Sequence, residues 1–182
     1  YYGPKDDNPY IEAFWKWWPS LRKDLHTLRI TGGEPLMNPG AMQFFDLLET
    51  EPAPNLEITI NSNLGVSFAK VDSLIERVGS LLKQKKIRSF SFYTSIDSWG
   101  EQAEYMRNGM DFDRLLNNVR TYLRETRHTS ISFINTFTML SIPSLRKFLE
   151  MILELRKEFG GRVQEEYTIN PPNNGDYVHP PY

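Results

Sequence analysis

The sequence predicts an α/β domain built on a parallel sheet that curves as an open part-barrel. Three observations carry this expectation. Strand-like and helix-like segments alternate from Leu28 to Ile169, joined by connections too short for more than a single crossover, as a parallel sheet requires. The strands alternate apolar and polar residues instead of running apolar throughout, so one sheet face differs from the helix-covered one and suits a polar, ligand-filled lumen. Five strand-like segments are present, too few to close an ordinary eight-stranded barrel of about 250 residues.

Residues 1–10 are polar and rich in Gly and Pro and are expected to form a loop. Ile11, Phe14, Trp15, Trp18, Leu21 and Leu25 recur at helical spacing, with Pro19 expected to break or kink that helix. Leu28 to Thr31 reads as a short strand. Asn38-Pro39 opens a helix with Met42, Phe44, Phe45, Leu47 and Leu48 on its buried stripe. Leu56 to Asn61 alternates as a strand, and Phe68 to Lys83 forms a helix through Val71, Leu74, Ile75, Val78, Leu81 and Leu82. Ile87 to Ile96 is a strand with Phe90, Phe92 and Thr94 on one face and Ser91, Tyr93 and Ser95 on the other. After a loop come a helix over Phe112 to Thr126, a strand over Ser130 to Thr138, a helix opened by Ser141-Ile142-Pro143 and stopped by Gly160-Gly161, and a strand over Val163 to Ile169. One domain spans 11–170, and 171–182 is expected to be a surface tail.

The chain of 182 residues carries a formal charge of −2, with no broad basic face for nucleic acid. Lys83-Gln84-Lys85-Lys86 reads as a solvated helix end. No run of about eighteen apolar residues exists and no signal peptide is evident, so no membrane partner and a cytoplasmic location are expected. Cysteine is absent, which excludes disulfides and any thiolate metal site supplied by these residues. His26, His128 and His179 lack metal-ligand spacing, and Glu165-Glu166 point to opposite faces of a strand. Trp15 and Trp18 lie on the apolar side of the first helix.

In a parallel barrel, ligand groups gather at the C-terminal strand ends. Four such ends are polar: Thr31-Gly32-Gly33-Glu34-Pro35, Asn61-Ser62-Asn63, Ser95-Ile96-Asp97 and Asn135-Thr136. Gly32 and Gly33 allow positive φ and close backbone approach, Pro35 fixes the following turn, and Glu34 is thereby placed to meet an ammonium group. Ser95 and Asp97 suit the vicinal hydroxyls of a ribose, and Asn61 or Asn63 suits a carboxylate or hydroxyl. Arg107 suits a carboxylate through a bidentate fork, and Thr136 adds a polar group at the fourth end. An amino acid joined to a nucleoside would satisfy all of these. Each residue also has a plainer reading: Asp97-Ser98 with Gly100 as an ordinary turn, Asn63 as a helix cap, Arg107 as a surface ion-pair partner.

From about Ile11 to Ile169 the sequence resembles the radical S-adenosylmethionine superfamily. Thr31-Gly32-Gly33-Glu34-Pro35 is similar to the family's GGEP motif, Asn61-Ser62-Asn63 to its Thr-Asn-Gly turn, Ser95-Ile96-Asp97 to its ribose-contacting motif, and Glu104 to Gly109 to the loop with its carboxylate-binding Arg. The resemblance looks closest to members with a C-terminal twitch or SPASM extension. It implies strands two to six of a six-stranded part-barrel and a cradle for S-adenosylmethionine at Gly32, Gly33, Glu34, Pro35, Asn61, Asn63, Ser95, Asp97, Arg107 and Thr136. It also implies a 4Fe-4S cluster that reduces S-adenosylmethionine to a 5′-deoxyadenosyl radical, an external electron donor, and hydrogen abstraction from a small organic or peptide substrate. The family's C-x-x-x-C-x-x-C loop and first strand are missing from this chain, which begins with Tyr1. The expectation is a truncated enzyme whose cluster ligands lie upstream. Two other readings stand beside it: a non-catalytic S-adenosylmethionine or nucleotide-binding domain, and an interaction scaffold using the Trp-rich first helix.

Overall fold

A computed structural model describes residues 8–169. At its centre lies one five-stranded sheet, all parallel, whose spatial order is the chain order. Its strands are β1 (Thr27–Ile30), β2 (Glu57–Asn61), β3 (Ser89–Ser95), β4 (Thr129–Phe137) and β5 (Val163–Ile169). The helices are α1 (Pro9–Leu21), α2 (Pro39–Thr50), α3 (Phe68–Lys83), α4 (Glu101–Met106), α5 (Phe112–Glu125) and α6 (Leu145–Phe159). The order never reverses, so the described sheet has no switch point of the doubly wound kind.

Local chemistry explains most boundaries. Asn8 caps α1 through its side chain, so the helix begins at Pro9, inside the segment expected to be loop. The rest of that loop and the tail over 171–182 lie outside the described residues. Pro19 does not break α1: it sits in the last turn, where few hydrogen bonds remain to lose, and the helix ends at Leu21 instead of Leu25. Asn38 caps α2 with Pro39 in its first turn, as the sequence predicts. A 3₁₀ stretch, Met139–Ser144, holds Ser141-Ile142-Pro143 ahead of α6, and Gly160 ends α6 at φ +66°. The segment expected as loop after β3 contains α4. Lys83 to Lys85 are exposed, but Lys86 is half-buried, its Nζ donating to the Glu49 carbonyl at 2.8 Å and to Glu49 Oε2 at 2.5 Å.

The two faces of the sheet differ as the alternation predicts. Ile58, Ile60, Phe90, Phe92, Ile131, Phe133 and Val163 are buried in one core with residues of α2, α3, α5 and α6. Those helices pack in succession, α2 on α3, α3 on α5 and α5 on α6, as a single layer. Edge-to-face aromatic contacts run from Trp18 through Phe44, Phe45, Phe90 and Phe92 to Tyr122, tying α1 and α2 to β3 and α5. On the other face Arg29, Thr59, Asn61, Ser91, Tyr93, Ser95 and Thr136 remain exposed or half-buried.

Candidate functional site

The C-terminal ends of β1 to β4 form the candidate site. Gly32 and Gly33 adopt φ of +95° and +56° after β1. An added Cβ at either would meet no atom within 4 Å, so the left-handed backbone, not space, is what calls for glycine. The turn delivers Glu34 to the start of a 3₁₀ turn, Pro35–Met37, which buried Pro35 opens. Glu34 Oε1 accepts from the Leu36 amide at 3.1 Å and from Ser62 Oγ at 2.8 Å, and Oε2 accepts from the Asn63 amide at 3.2 Å. One carboxylate thus latches the end of β1 to the end of β2. Each oxygen has two lone pairs, so Oε2 keeps capacity for a further donor.

The loop after β2 is held from two sides. Leu64 sits at φ +52°, with its amide donating to Ser62 Oγ at 3.0 Å. Its carbonyl and that of Val66 accept from the buried Asn118 Nδ2 of α5 at 2.8 and 3.0 Å. Asn63 does not cap α3: its Oδ1 accepts from the Gly65 amide at 3.0 Å, while Ser67 occupies the cap position without a side-chain bond. Asn61 turns onto the open sheet face, where its Oδ1 accepts from Arg29 Nε at 2.8 Å.

At the ends of β3 and β4 the charges are paired. Asp97 is nearly buried; its Oδ1 accepts from the Thr136 amide at 2.9 Å, and its Oδ2 accepts from Arg107 Nε and Nη2, each at 2.7 Å. Arg107 follows α4 directly, and Gly100 at φ +58° and Gly109 at φ +81° shape the turns on either side. The Arg107 fork expected to face a ligand is therefore turned onto Asp97, leaving Nη1 without a bond to any described residue. The hydroxyl of half-buried Ser95 makes no hydrogen bond with a described residue. Asn135 is fully buried; its Nδ2 donates to the Ile96 carbonyl at 3.2 Å and its Oδ1 has no partner among the described residues.

Glu34, Asn63 and Arg107 line one cavity of about 440 Å³, walled by Val66 and Met110 and by the backbone of Gly65 and Gly109. A carboxylate and a guanidinium thus face one volume, a pairing suited to the two ends of an amino-acid zwitterion. Asp97 reaches this cavity only through Arg107, and Thr136 only through Asp97. Gly32, Gly33 and Pro35 shape the approach, while Asn61 and Ser95 stand on the open face outside the cavity lining. The part of Ser62 in fixing Glu34, and that of Arg29 in fixing Asn61, were absent from the sequence-derived set. Ser62 was visible there as the centre of a polar triplet. Arg29 was visible as the charged residue in an otherwise apolar, alternating strand.

Among the described residues, no three His, Cys, Asp or Glu side chains gather as a metal site, and none of their helices is long and apolar enough to cross a membrane. His179 lies outside the described residues. No family model matches this chain, and neither does any curated protein or solved structure.

Proposed function

We propose that this chain is the S-adenosylmethionine-binding part of a radical S-adenosylmethionine enzyme, its sheet being the wall of a part-barrel whose open face is the lumen. The observation that carries this reading is the shared cavity at the strand ends, with Glu34 on one side and Arg107 on the other. Unreversed strand order and a polar face whose residues lie outside the helix-packed core of the described residues support the barrel-like winding. Glu34 Oε2 takes the methionyl ammonium, Arg107 donates from Nη1 to the methionyl carboxylate, and Ser95 meets the ribose. Asp97 is then a positioning residue: it holds Nε and Nη2 of Arg107 and thereby aims Nη1. When bound, S-adenosylmethionine supplies a sulfonium whose bond to the 5′ carbon is the one broken in such enzymes.

The 4Fe-4S cluster does not fit the residues of this chain, which has no cysteine. In the enzyme as proposed, the cluster's ligands, an external electron donor and an organic or peptide substrate come from outside these residues, in the cytoplasm. The same absence of cysteine favours a second reading, a non-catalytic S-adenosylmethionine or nucleotide-binding domain with the same cavity. Exposed Tyr10, Ile11 and Trp17 on α1 favour the third, an interaction scaffold.

Calorimetric titration of the chain with S-adenosylmethionine and with its decarboxylated analogue tests the proposal. Saturable binding is expected, weakened about tenfold or more in Glu34→Gln, since a charge-assisted hydrogen bond contributes about 1.5–3 kcal/mol. Arg107→Ala should weaken S-adenosylmethionine by a similar factor and leave the decarboxylated analogue nearly unchanged. Absence of saturable binding in the parent chain, or equal loss for both ligands, would overturn it. Reconstitution of the full-length protein with iron and sulfide separates enzyme from binding domain: a bound cluster supports the first, binding without one the second.

A further inference from the structure

The open sheet face carries a second charged constellation that the cradle does not use. Arg29 of β1 is exposed, yet two contacts fix its guanidinium. Its Nε donates to Asn61 Oδ1 at 2.8 Å, and its plane lies over the Tyr93 ring with 4.4 Å from the guanidinium carbon to the ring centroid. Asn61 and Tyr93 are register partners on β2 and β3, so the side chain reaches across two strands. Both terminal nitrogens, Nη1 and Nη2, are without a hydrogen bond or ion pair to any described residue. Here the stem and one donor are anchored while the terminal fork is presented to the open face.

The surroundings define what the fork would take. Thr59 lies opposite Arg29 in the register, Ser91 opposite Thr59 and Ser130 opposite Ser91, so three hydroxyls stand in the same row on the same face. Glu57, one row away toward the N-terminal strand ends, is engaged by Arg88 at 3.6 Å. Arg29 is the charged member of this row, beside three neutral hydroxyls; Arg127, His128 and Arg162 share a cavity with Thr59 and Ser91 that Arg29 does not line, and Arg162 is engaged by the backbone carbonyls of Leu123, Thr126 and Thr129. That balance matches a monoanion with two coplanar oxygens better than a dianion.

We infer that Arg29, held by Asn61 and Tyr93, is a binding site for the carboxylate of an organic acid or peptide on the open face of the sheet, separate from the cavity between Glu34 and Arg107. The inference does not depend on S-adenosylmethionine. A ligand seated there lies over the polar rows of β2 and β3, with its carboxylate on the Arg29 fork and the Thr59 and Ser91 hydroxyls alongside.

Nuclear magnetic resonance titration of the chain, read at the Arg29 Nε–H and the Tyr93 ring, tests this with N-benzoylglycine, its neutral primary amide and phenyl phosphate at constant ionic strength. The carboxylate is expected to saturate both signals and to bind about tenfold more tightly than the amide, the scale of one charge-assisted pair. Arg29→Gln should abolish that preference. Arg29→Lys, which keeps the charge and the exposed position, should lose most of it because the fork is gone. Binding of S-adenosylmethionine should be unaltered in both variants, so failure of this site and failure of the cradle are distinguishable. Equal affinity for acid and amide, an unchanged preference in Arg29→Gln, or a preference for phenyl phosphate over the carboxylate would each overturn the inference.

Discussion

The two faces of the sheet are made from the same strands, residue by residue, yet they do different work. Toward the helices, Phe90, Phe92, Ile131 and Phe133 are almost wholly removed from water, and stability resides there. Toward the open side, Arg29 is exposed while Thr59, Asn61, Ser91 and Tyr93 are half-buried, and this face keeps polar groups available for a ligand. The lesson is that a period of two lets a strand carry a structural and a recognition sequence at once.

The largest test of that division is Phe92→Ala against its neighbour Ser91→Ala. Phe92 is fully buried with its ring 4.7 Å from Tyr122 and 5.3 Å from Phe90. Its truncation should cost about 3–5 kcal/mol in urea unfolding, and Ser91→Ala should stay within about 0.5 kcal/mol. Comparable losses for the pair would mean that the open face is as heavily packed as the other.

Next in size is Asn118→Ala. It leaves the Leu64 and Val66 carbonyls without their buried donor and should cost about 2–3 kcal/mol, from the penalty for unsatisfied buried groups. Because that donor also restrains the loop bearing Asn63, the variant should weaken ligand binding in the cavity as well. A stability loss with unaltered binding would separate core from site more sharply than the geometry suggests.

Tyr122→Phe comes third and is read by pH. The Tyr122 hydroxyl donates to the Ser130 carbonyl at 3.1 Å, and burial pushes its pKa well up from the ordinary value of 10.0. Its pKa is thus higher folded than unfolded, so its contribution is complete below about pH 10 and is lost as pH rises further and the unfolded tyrosine ionises. The variant should lose about 1 kcal/mol at neutral pH and should show a shallower alkaline fall in stability than the parent. Parallel alkaline limbs would contradict this.

The smallest effect is expected at Glu49→Gln. The hydrogen bond from Lys86 lowers the Glu49 pKa from its ordinary 4.5, with help from Ser80, against a small opposing cost of burial. A depressed folded pKa contributes stability above the unfolded value and loses it as pH falls through the folded one. The difference from the parent should be about 0.5 kcal/mol near neutral pH, should fade below pH 4.5, and should shrink in added salt.

How much of this was legible in the sequence depended on how local the cause was. Helix α3 and strand β5 fall where periodicity and glycine punctuation put them, because caps, apolar spacing and turns act within a few residues. The four polar strand ends were visible for the same reason. What could not be read was which partner each polar group would choose. Arg107 and Asp97 lie ten residues apart in the chain, with α4 between them, and meet only because a short helix reverses the path. Arg29 and Asn61 are set side by side by β1–β2 pairing, a long-range fact that no local pattern encodes. Pro19 inside α1 shows the converse: a strong local signal yielded to position, since the last turn had little left to break.

The unreversed strand order also bears on how the molecule is built in time. Each strand's neighbour is the next one to leave the ribosome, separated by helix and turn alone. No strand must hold an open edge while a distant partner is synthesised, so loop-closure cost is met in small, equal increments and the relative contact order stays low for a parallel sheet. Such an order permits assembly from the N-terminal side as the chain is made, one βα unit at a time at the growing edge.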